Sequence, residues 1–542
     1  MTKIISLSFL LCCCSIVYSQ QKKAIDLVHA NSEEFDKRLG NGAQRLIGNV
    51  QLADDSTTLF CDSAYFYSDN SVHAFGHVHM TRKDTMDLYG DSIHYDGETR
   101  KAEMFGKIRC IRKGMTLTTR HLMFDIHKHF INYWDGGIIV DSDNTLTSVI
   151  GIYNTKQRMC FFKEKVVLLN PKYTVTCDTM DYAPGTRTAF FLGPTRITSK
   201  SNFMYCEKGY YNTESNYCQF SQHPYMINKK GDKLSGEQIY YDRQNDFGQV
   251  LDNVSLEDTA DNIIIKGNYA QYNGDDKTLL VTCKALLLQK YDKDTLHLHG
   301  DTLFGKNISV SDTDKSGKPK LLLAYHHVKF FKKDLQGKCD SLTYDEKDSV
   351  MRMFYSPILW SDVNQLTADT MRLYMRNKRL DKLDMLNRSF IVSRDTLASK
   401  LLAKDDTSTI NKDSVKSDSV VIHKIQHGSD TMQFNQIKGR NMKGFFRDNK
   451  IYKVVVKGNA QTIYYVYSDN NTSILGVNRA DCSSMVLFIL ENKIKSITFL
   501  QKPDATLFPM KDVKPADFLL GGFHWLESQK PRSVAEIMNN EP

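Results

Sequence analysis

An aromatic residue recurs along this chain at an almost constant spacing: Phe66, Tyr95, Phe124, Tyr153, Tyr182, Tyr211, Tyr241 and Tyr272. The first five steps are 29 residues and the next two are 30 and 31. A period of this length confines the chain to a stacked repeat architecture. Each unit then buries its apolar face against its neighbours and the core grows lengthwise.

A short pattern surrounds each aromatic. The clearest copies are Asp91-Ser-Ile-His-Tyr95, Asp178-Thr-Met-Asp-Tyr182 and Asp340-Ser-Leu-Thr-Tyr344. Looser copies end at Phe66, Tyr211, Tyr241, Tyr272 and Leu373. Residues two apart on a strand share a side, so Ile93 with Tyr95, Met180 with Tyr182 and Ile239 with Tyr241 face one way. A second element follows after a turn, as in Ala74-Phe-Gly-His-Val78, Ala102-Glu-Met-Phe-Gly-Lys-Ile108 and Phe190-Phe-Leu-Gly-Pro-Thr-Arg-Ile197. Asp96-Gly97, Pro184-Gly185 and Asn273-Gly274 supply turn chemistry between them. Each unit reads as two short strands and two turns, with eleven units between Asp62 and the region of Leu373.

The aromatic stripe has two readings. It fills a closed core with one large residue per layer, or it lines an open interior. The positions two before each aromatic include Ala64, Gly151, Gly209 and Ala270. Large rings opposite small residues leave room, or pack tightly, and the pattern alone does not choose.

The N-terminus has the form of a signal peptide over residues 1–19. Lys3 precedes the apolar stretch Ile4 to Val17, and Val17-Tyr18-Ser19 is an acceptable cleavage site. The stretch is too short to span a bilayer. An exported product follows, soluble or peripherally attached. Nine cysteines remain after residue 19, an odd number that argues against a complete disulfide framework. Cys61, Cys177, Cys206 and Cys339 fall just before the unit's polar residue and read as small apolar residues in equivalent buried slots. Cys177 and Cys206, one period apart, are the pair a bridge would join. The formal charge of +8 is mild for 542 residues; it suits an anionic partner and does not mark a nucleic-acid binder.

Residues 20 to about 45 form a polar lead-in. The best-kept repeats run over 46–310, and Ser311 to Lys320 is the expected joint. A second repeat block covers 321–397. Residues 398–432 are charged and rich in Ser and Thr, which predicts a disordered insertion. Strand-like sequence continues over 433–500. The tail, 503–542, carries Phe518 to Trp525, read as a cap on the last sheet edge or a docking patch, and a short helix at Ser533 to Met538.

No Gly-x-Ser-x-Gly, His-Glu-x-x-His or phosphate-cradling glycine loop occurs, so neither an enzyme nor a cofactor site is expected. The repeated Asp lacks the Gly-Gly-x-Gly-x-Asp calcium context and reads as a carboxylate satisfying turn N–H groups at strand entry. The pairs His77/His79, His127/His129 and His297/His299 each share a strand face, but no third zinc ligand has a recognisable spacing.

The Asp-Ser/Thr-x-x-Tyr strand, the Ala-x-Gly-x-Val strand at Ala74 to Val78 and their alternation behind a secretory signal resemble the OstA family of periplasmic lipopolysaccharide-transport proteins. The resemblance covers 46–310 well and 321–500 loosely. It implies an all-β, open, twisted jelly-roll or solenoid of two-strand units around an apolar groove. It implies binding of lipopolysaccharide by its lipid A acyl chains, without catalysis. The groove lining it points to is Ile93, Tyr95, Leu122, Phe124, Met180, Tyr182, Tyr211, Ile239, Tyr241 and Tyr272. Its implied partners are other lipopolysaccharide-transport envelope proteins and a second copy joined end to end. A structural scaffold of the envelope and a polysaccharide-processing β-solenoid enzyme are the rival readings.

Overall fold

The computed structural model describes residues 25–35, 42–54, 57–82, 86–112, 114–141, 143–200, 202–291, 294–307, 320–376, 379–408, 426–427, 430–431, 433–448, 450–490, 493–513 and 518–539. The expected signal peptide, most of the joint at 311–320 and residues 409–425 lie outside them. The chain divides into two compact units, residues 1–200 and 201–542. Both are all-β and built of repeated antiparallel two-strand units.

In the first unit the period of 29 residues corresponds to two long strands rather than two short ones. Thr57–Phe66, Val72–Arg82, Met86–Asp96, Lys101–Arg112 and Met115–Asp125 follow one another as an antiparallel meander. Each strand is interrupted near its middle. Ile47 pairs with Ser63 and Val50 with Cys61, so three steps on one strand face two on the other. The same extra residue recurs between Phe75 and Val78 and between Lys163 and Val166. Such a bulge bends a strand and sharpens its twist.

The bulge explains the second half of the sequence pattern. Its residues have positive φ: Gly48 and Asn49, Gly76 and His77, Gly106, Glu164 and Lys165, Gly193. Glycine takes this region freely. At Gly76 and Gly106 space also matters, because a Cβ would lie 2.2 Å from Asp62 Oδ2 and 2.1 Å from Asp91 Oδ2 respectively.

The bend divides every strand into two arms. The arm whose turn follows the aromatic is called the hairpin arm; the other is the far arm. They pair independently where a strand breaks: Phe130–Tyr133 joins the hairpin arm through Met123 to Asp125, and Gly137–Val140 joins the far arm through Thr116 to Thr119. One buried cluster unites both arms, with Leu46, Ala64, Ala74, Ile93 and Met104 from the hairpin arm and Leu52, Cys61, Val78, Leu88 and Ile108 from the far arm.

The hairpins stack as well. The residue after the aromatic accepts bonds from turn N–H groups, as Asp96 does from Glu98 and Thr99 and Asn154 from Lys156 and Gln157. Five residues past the aromatic, Arg100, His129, Arg158 and Arg187 all have positive φ. Their carbonyls receive the next hairpin: Ile126 N–H donates to Arg100 O at 3.2 Å and Thr155 N–H to His129 O at 2.9 Å. The aromatic spacing is thus the spacing of stacked turns. The polar lead-in joins in too, since Asp26–His29 and Ser32–Phe35 pair with Gln44–Ala53.

In the second unit the same two-arm ladder runs from Asn202–Asn212 to Ile474–Leu490, with edge strands Lys493–Leu500 and Asp504–Pro509 on the two arms. A helix, Thr396–Ser408, opens the segment expected to be an insertion. Asp395 Oδ1 receives the N–H groups of Leu397 and Ala398, and Ala398 is buried.

The tail follows the last edge over Asp504–Pro509, and from residue 518 onward it leaves that edge. It crosses the outer face of the far arm. Gln436 donates to Phe518 O at 2.6 Å and accepts from Leu520 N–H at 2.9 Å. Gln365 repeats this with His524 O at 2.8 Å and Leu526 N–H at 2.7 Å. The tail ends in the short helix Val534–Met538, where Ser533 caps Glu536 N–H and Glu536 accepts from Arg532 N–H. Buried Phe434 packs with Phe523 and Trp525 beneath this strap.

Candidate functional site: the inner apolar rows

The cross-strand register brings the period aromatics of the first unit onto one row. It runs Phe66, Val72, Tyr95, Ala102, Phe124, Ile131, Tyr153, Cys160, Tyr182, Ala189. Rings alternate with smaller side chains, because the returning strand of each unit contributes the small residue. Nearer the bend lies a second row, Leu46, Ala64, Ala74, Ile93, Met104, Leu122. Met180 pairs with Phe162 and Phe191 at the equivalent depth.

Burial grades across these rows. Ile93, Leu122 and Met180 are deeply buried, and Phe124 is buried. Tyr95 and Tyr182, one step toward the strand end, are half-buried. The second unit repeats the gradient: Ile239 is buried, Tyr211 and Tyr241 are half-buried and Tyr272 is 40% exposed. Burial holds the phenols of Tyr95, Tyr182, Tyr211 and Tyr272 above their ordinary value. Tyr241 is raised by burial and by donating to Asp246 Oδ1 at 2.8 Å. The six expected positions of the first unit therefore sit on two adjacent rows of its hairpin arm; in the second unit Tyr211, Tyr241 and Tyr272 share one row and Ile239 lies on the next.

A third row was not among the expected residues. On the far arm, Leu52, Leu59, Met80, Leu88, Cys110, Leu117, Ile139, Leu146, Leu168, Val175 and Ile197 pair in one unbroken apolar line. Its signal was present in the alternations Leu59-Phe-Cys61, Leu88-Tyr-Gly90 and Val175-Thr-Cys177, which precede each acidic residue. In this row Leu52, Leu88, Val175 and Ile197 are buried, whereas Leu59, Met80, Cys110 and Leu117 are only partly buried, as are Phe66, Tyr95 and Ile131 on the other arm. Both arms thus carry apolar side chains that are covered at the bend and less covered away from it.

In the second unit the deep row becomes methionine-rich: Met353, Met371, Met385, Met442, Val456, Met485. Unbranched thioethers fill irregular space between rungs. In the row nearer the strand ends Leu279, Leu322 and Met351 are partly buried, whereas Leu373, Leu383, Val454 and Leu487 are fully buried.

The repeated acids lie at the bend and not at strand entry. Asp62 meets His77, Asp91 Oδ2 accepts the Lys107 N–H at 3.2 Å, Glu237 accepts from Asn253 and Asp369 from Arg388. Each of these four acids pairs with the bulge of a neighbouring strand, whereas Asp178 accepts from Thr179 beside it. Among the described residues no group of three or more His, Cys, Asp or Glu side chains is placed to hold a metal ion.

Residues 22–178 match the family described as OstA-like protein. That part of the chain is OstA-like. No curated protein matches it. Among solved structures, a match is LptH, the LptA-homologous periplasmic component of the lipopolysaccharide transport device from Pseudomonas aeruginosa. It is 21% identical, over 20% of this chain and 79% of that one, with a TM-score of 0.18, too low to relate the two folds.

Proposed function

We propose that this OstA-like chain is an exported protein of the periplasm that binds lipopolysaccharide through its acyl chains and helps carry it toward the outer membrane. The observation that carries the reading is the pair of apolar arms whose inner rows lose cover away from the bend. Acyl chains laid between them leave water at roughly 0.8 kcal/mol per CH₂, so a few chains give tight retention. Each rung presents a similar apolar face, so one contact replaces another as the lipid moves along. No bond is made or broken. Its partners are lipopolysaccharide and other transport proteins of the envelope.

A photo-crosslinking residue at Tyr182 or Tyr241 is expected to capture lipopolysaccharide in cells. At Thr179 or Gln238, on the outer side of the same strands, it is expected not to. Equal capture from both sets sinks the groove.

One observation favours a second reading, a structural scaffold. Tyr211 donates to Asn216 Oδ1 at 2.9 Å and Tyr241 to Asp246 Oδ1 at 2.8 Å, so these rings also brace their own hairpins. Absence of capture at every inner position, in a folded and exported protein, selects the scaffold.

A further inference from the structure

We propose that the outer face of the hairpin arm near the C-terminal end of the second unit docks on an anionic lipid bilayer. This goes beyond the inner rows, which lie on the opposite side of the same strands.

The register builds a row of alternating rings and ammonium groups: Tyr374, Lys382, Phe445, Lys453, Phe488. Lys382 Nζ lies 4.2 Å from the Tyr374 ring centroid, and Lys453 Nζ lies 5.5 Å and 5.4 Å from those of Phe445 and Phe488. The next row runs Arg372, Asp384, Lys443, Val455 and Val486, so Lys443 stands across from Asp384 on one side and Val455 on the other. Among the described residues, Lys443 and Lys453 have no carboxylate partner. The carboxylate on this face, Asp384, is taken by the Tyr374 hydroxyl at 3.0 Å and by Lys382 at 3.4 Å. Phe488 remains 40% exposed.

Charge and shape select the occupant. The far arm's outer face is covered by the C-terminal strap through Gln365 and Gln436, whereas on this face Arg372, Lys382, Lys443 and Lys453 stand against Asp384. Lysine is depleted in protein–protein interfaces, which argues against a protein partner. Rings that sit at headgroup depth, beside lysine stems that reach along them to phosphates, are the chemistry of a membrane interface. A lysine near an anionic surface is worth about 1 kcal/mol, or about fivefold in binding.

The test is sedimentation of the full mature chain with vesicles. Binding is expected to vesicles of phosphatidylglycerol and phosphatidylcholine, to be weak on phosphatidylcholine alone, and to fall in high salt. The K443Q/K453Q variant is expected to bind roughly 25-fold more weakly, from two such fivefold factors. K208Q/K230Q, which alters exposed lysines elsewhere, is expected to bind as the parent does. Circular dichroism of each variant checks the fold. Equal binding to both vesicle types, or K443Q/K453Q binding like the parent, overturns the proposal. Retained capture at Tyr182 alongside lost sedimentation separates this face from the groove.

Discussion

His77 Nδ1 lies 2.7 Å from Asp62 Oδ2, and the contact joins two neighbouring strands at the point where both bend. The Asp62 carboxylate, by hydrogen bond and by charge, holds His77 protonated above the ordinary histidine value. A raised folded value means that the contribution to stability is full below the unfolded value of about 6.5 and is lost as pH rises through the folded one. Asp62→Asn should lower the His77 midpoint in an NMR titration. The difference in thermal midpoint between parent and variant should shrink from pH 6 to pH 8. An unmoved His77 midpoint shows the pair to be unformed in solution.

A glycine at a bend and one in a far-arm turn give a sharper contrast. Gly106 has φ +100 and its Cβ would strike the Asp91 carboxylate, whereas Gly114 has φ +79 with nothing within 4 Å. Gly114→Ala should cost about 1 kcal/mol, the strain of a positive φ alone. Gly106→Ala should cost about 2–4 kcal/mol in urea unfolding, because strain adds to a forced shift of the neighbouring strand. Equal losses would mean that the bend has slack.

These two residue types mark where the sequence was readable. The aromatic period announced the stack, because a hairpin repeated at one spacing forces one residue type to one place. Ile93 and Tyr95, like Met180 and Tyr182, stand two apart on one arm of a strand, and alternation by two is all that such an arm requires. Strand length was not readable. The bulge adds a residue, and the alternation changes phase between Cys61 and Ala64, so one long bent strand looks like two short ones. Asp62 was assigned to a turn for the same reason: its partner, His77, lies on the next strand, and no local spacing connects them. The far-arm row went unseen because its positions mix Leu, Met, Cys and Ile with no single recurring type.

The strap supplies a prediction about packing. Gln365 and Gln436 each hold the tail backbone by one donated and one accepted bond, and both side chains are buried. Gln436→Ala should leave Phe518 O and Leu520 N–H without their partner and cost about 1–3 kcal/mol. Hydrogen exchange should rise over 518–526 first, while the rungs beneath stay protected. Exchange that rises equally throughout 434–490 would show that the strap is integral to those strands.

The last prediction concerns the thiols. Only the thiolate reacts, so a thiol whose folded value is raised is protected by chemistry as well as by cover. Burial raises Cys160, Cys177, Cys218 and Cys339 to about 12 and Cys61 and Cys110 to about 11. At pH 8 a value near 12 leaves about one thiolate in 10⁴. Cys283 is exposed, at the bend between Thr278–Thr282 and Leu286–Lys290. A brief treatment of the folded protein with iodoacetamide should therefore label Cys283 well ahead of Cys177, Cys218 and Cys339, with all of them labelled in urea. Peptide mapping reads the order directly. Fast labelling of Cys218 in the folded protein would mean that the rungs open at the Tyr211–Cys218–Tyr241 position.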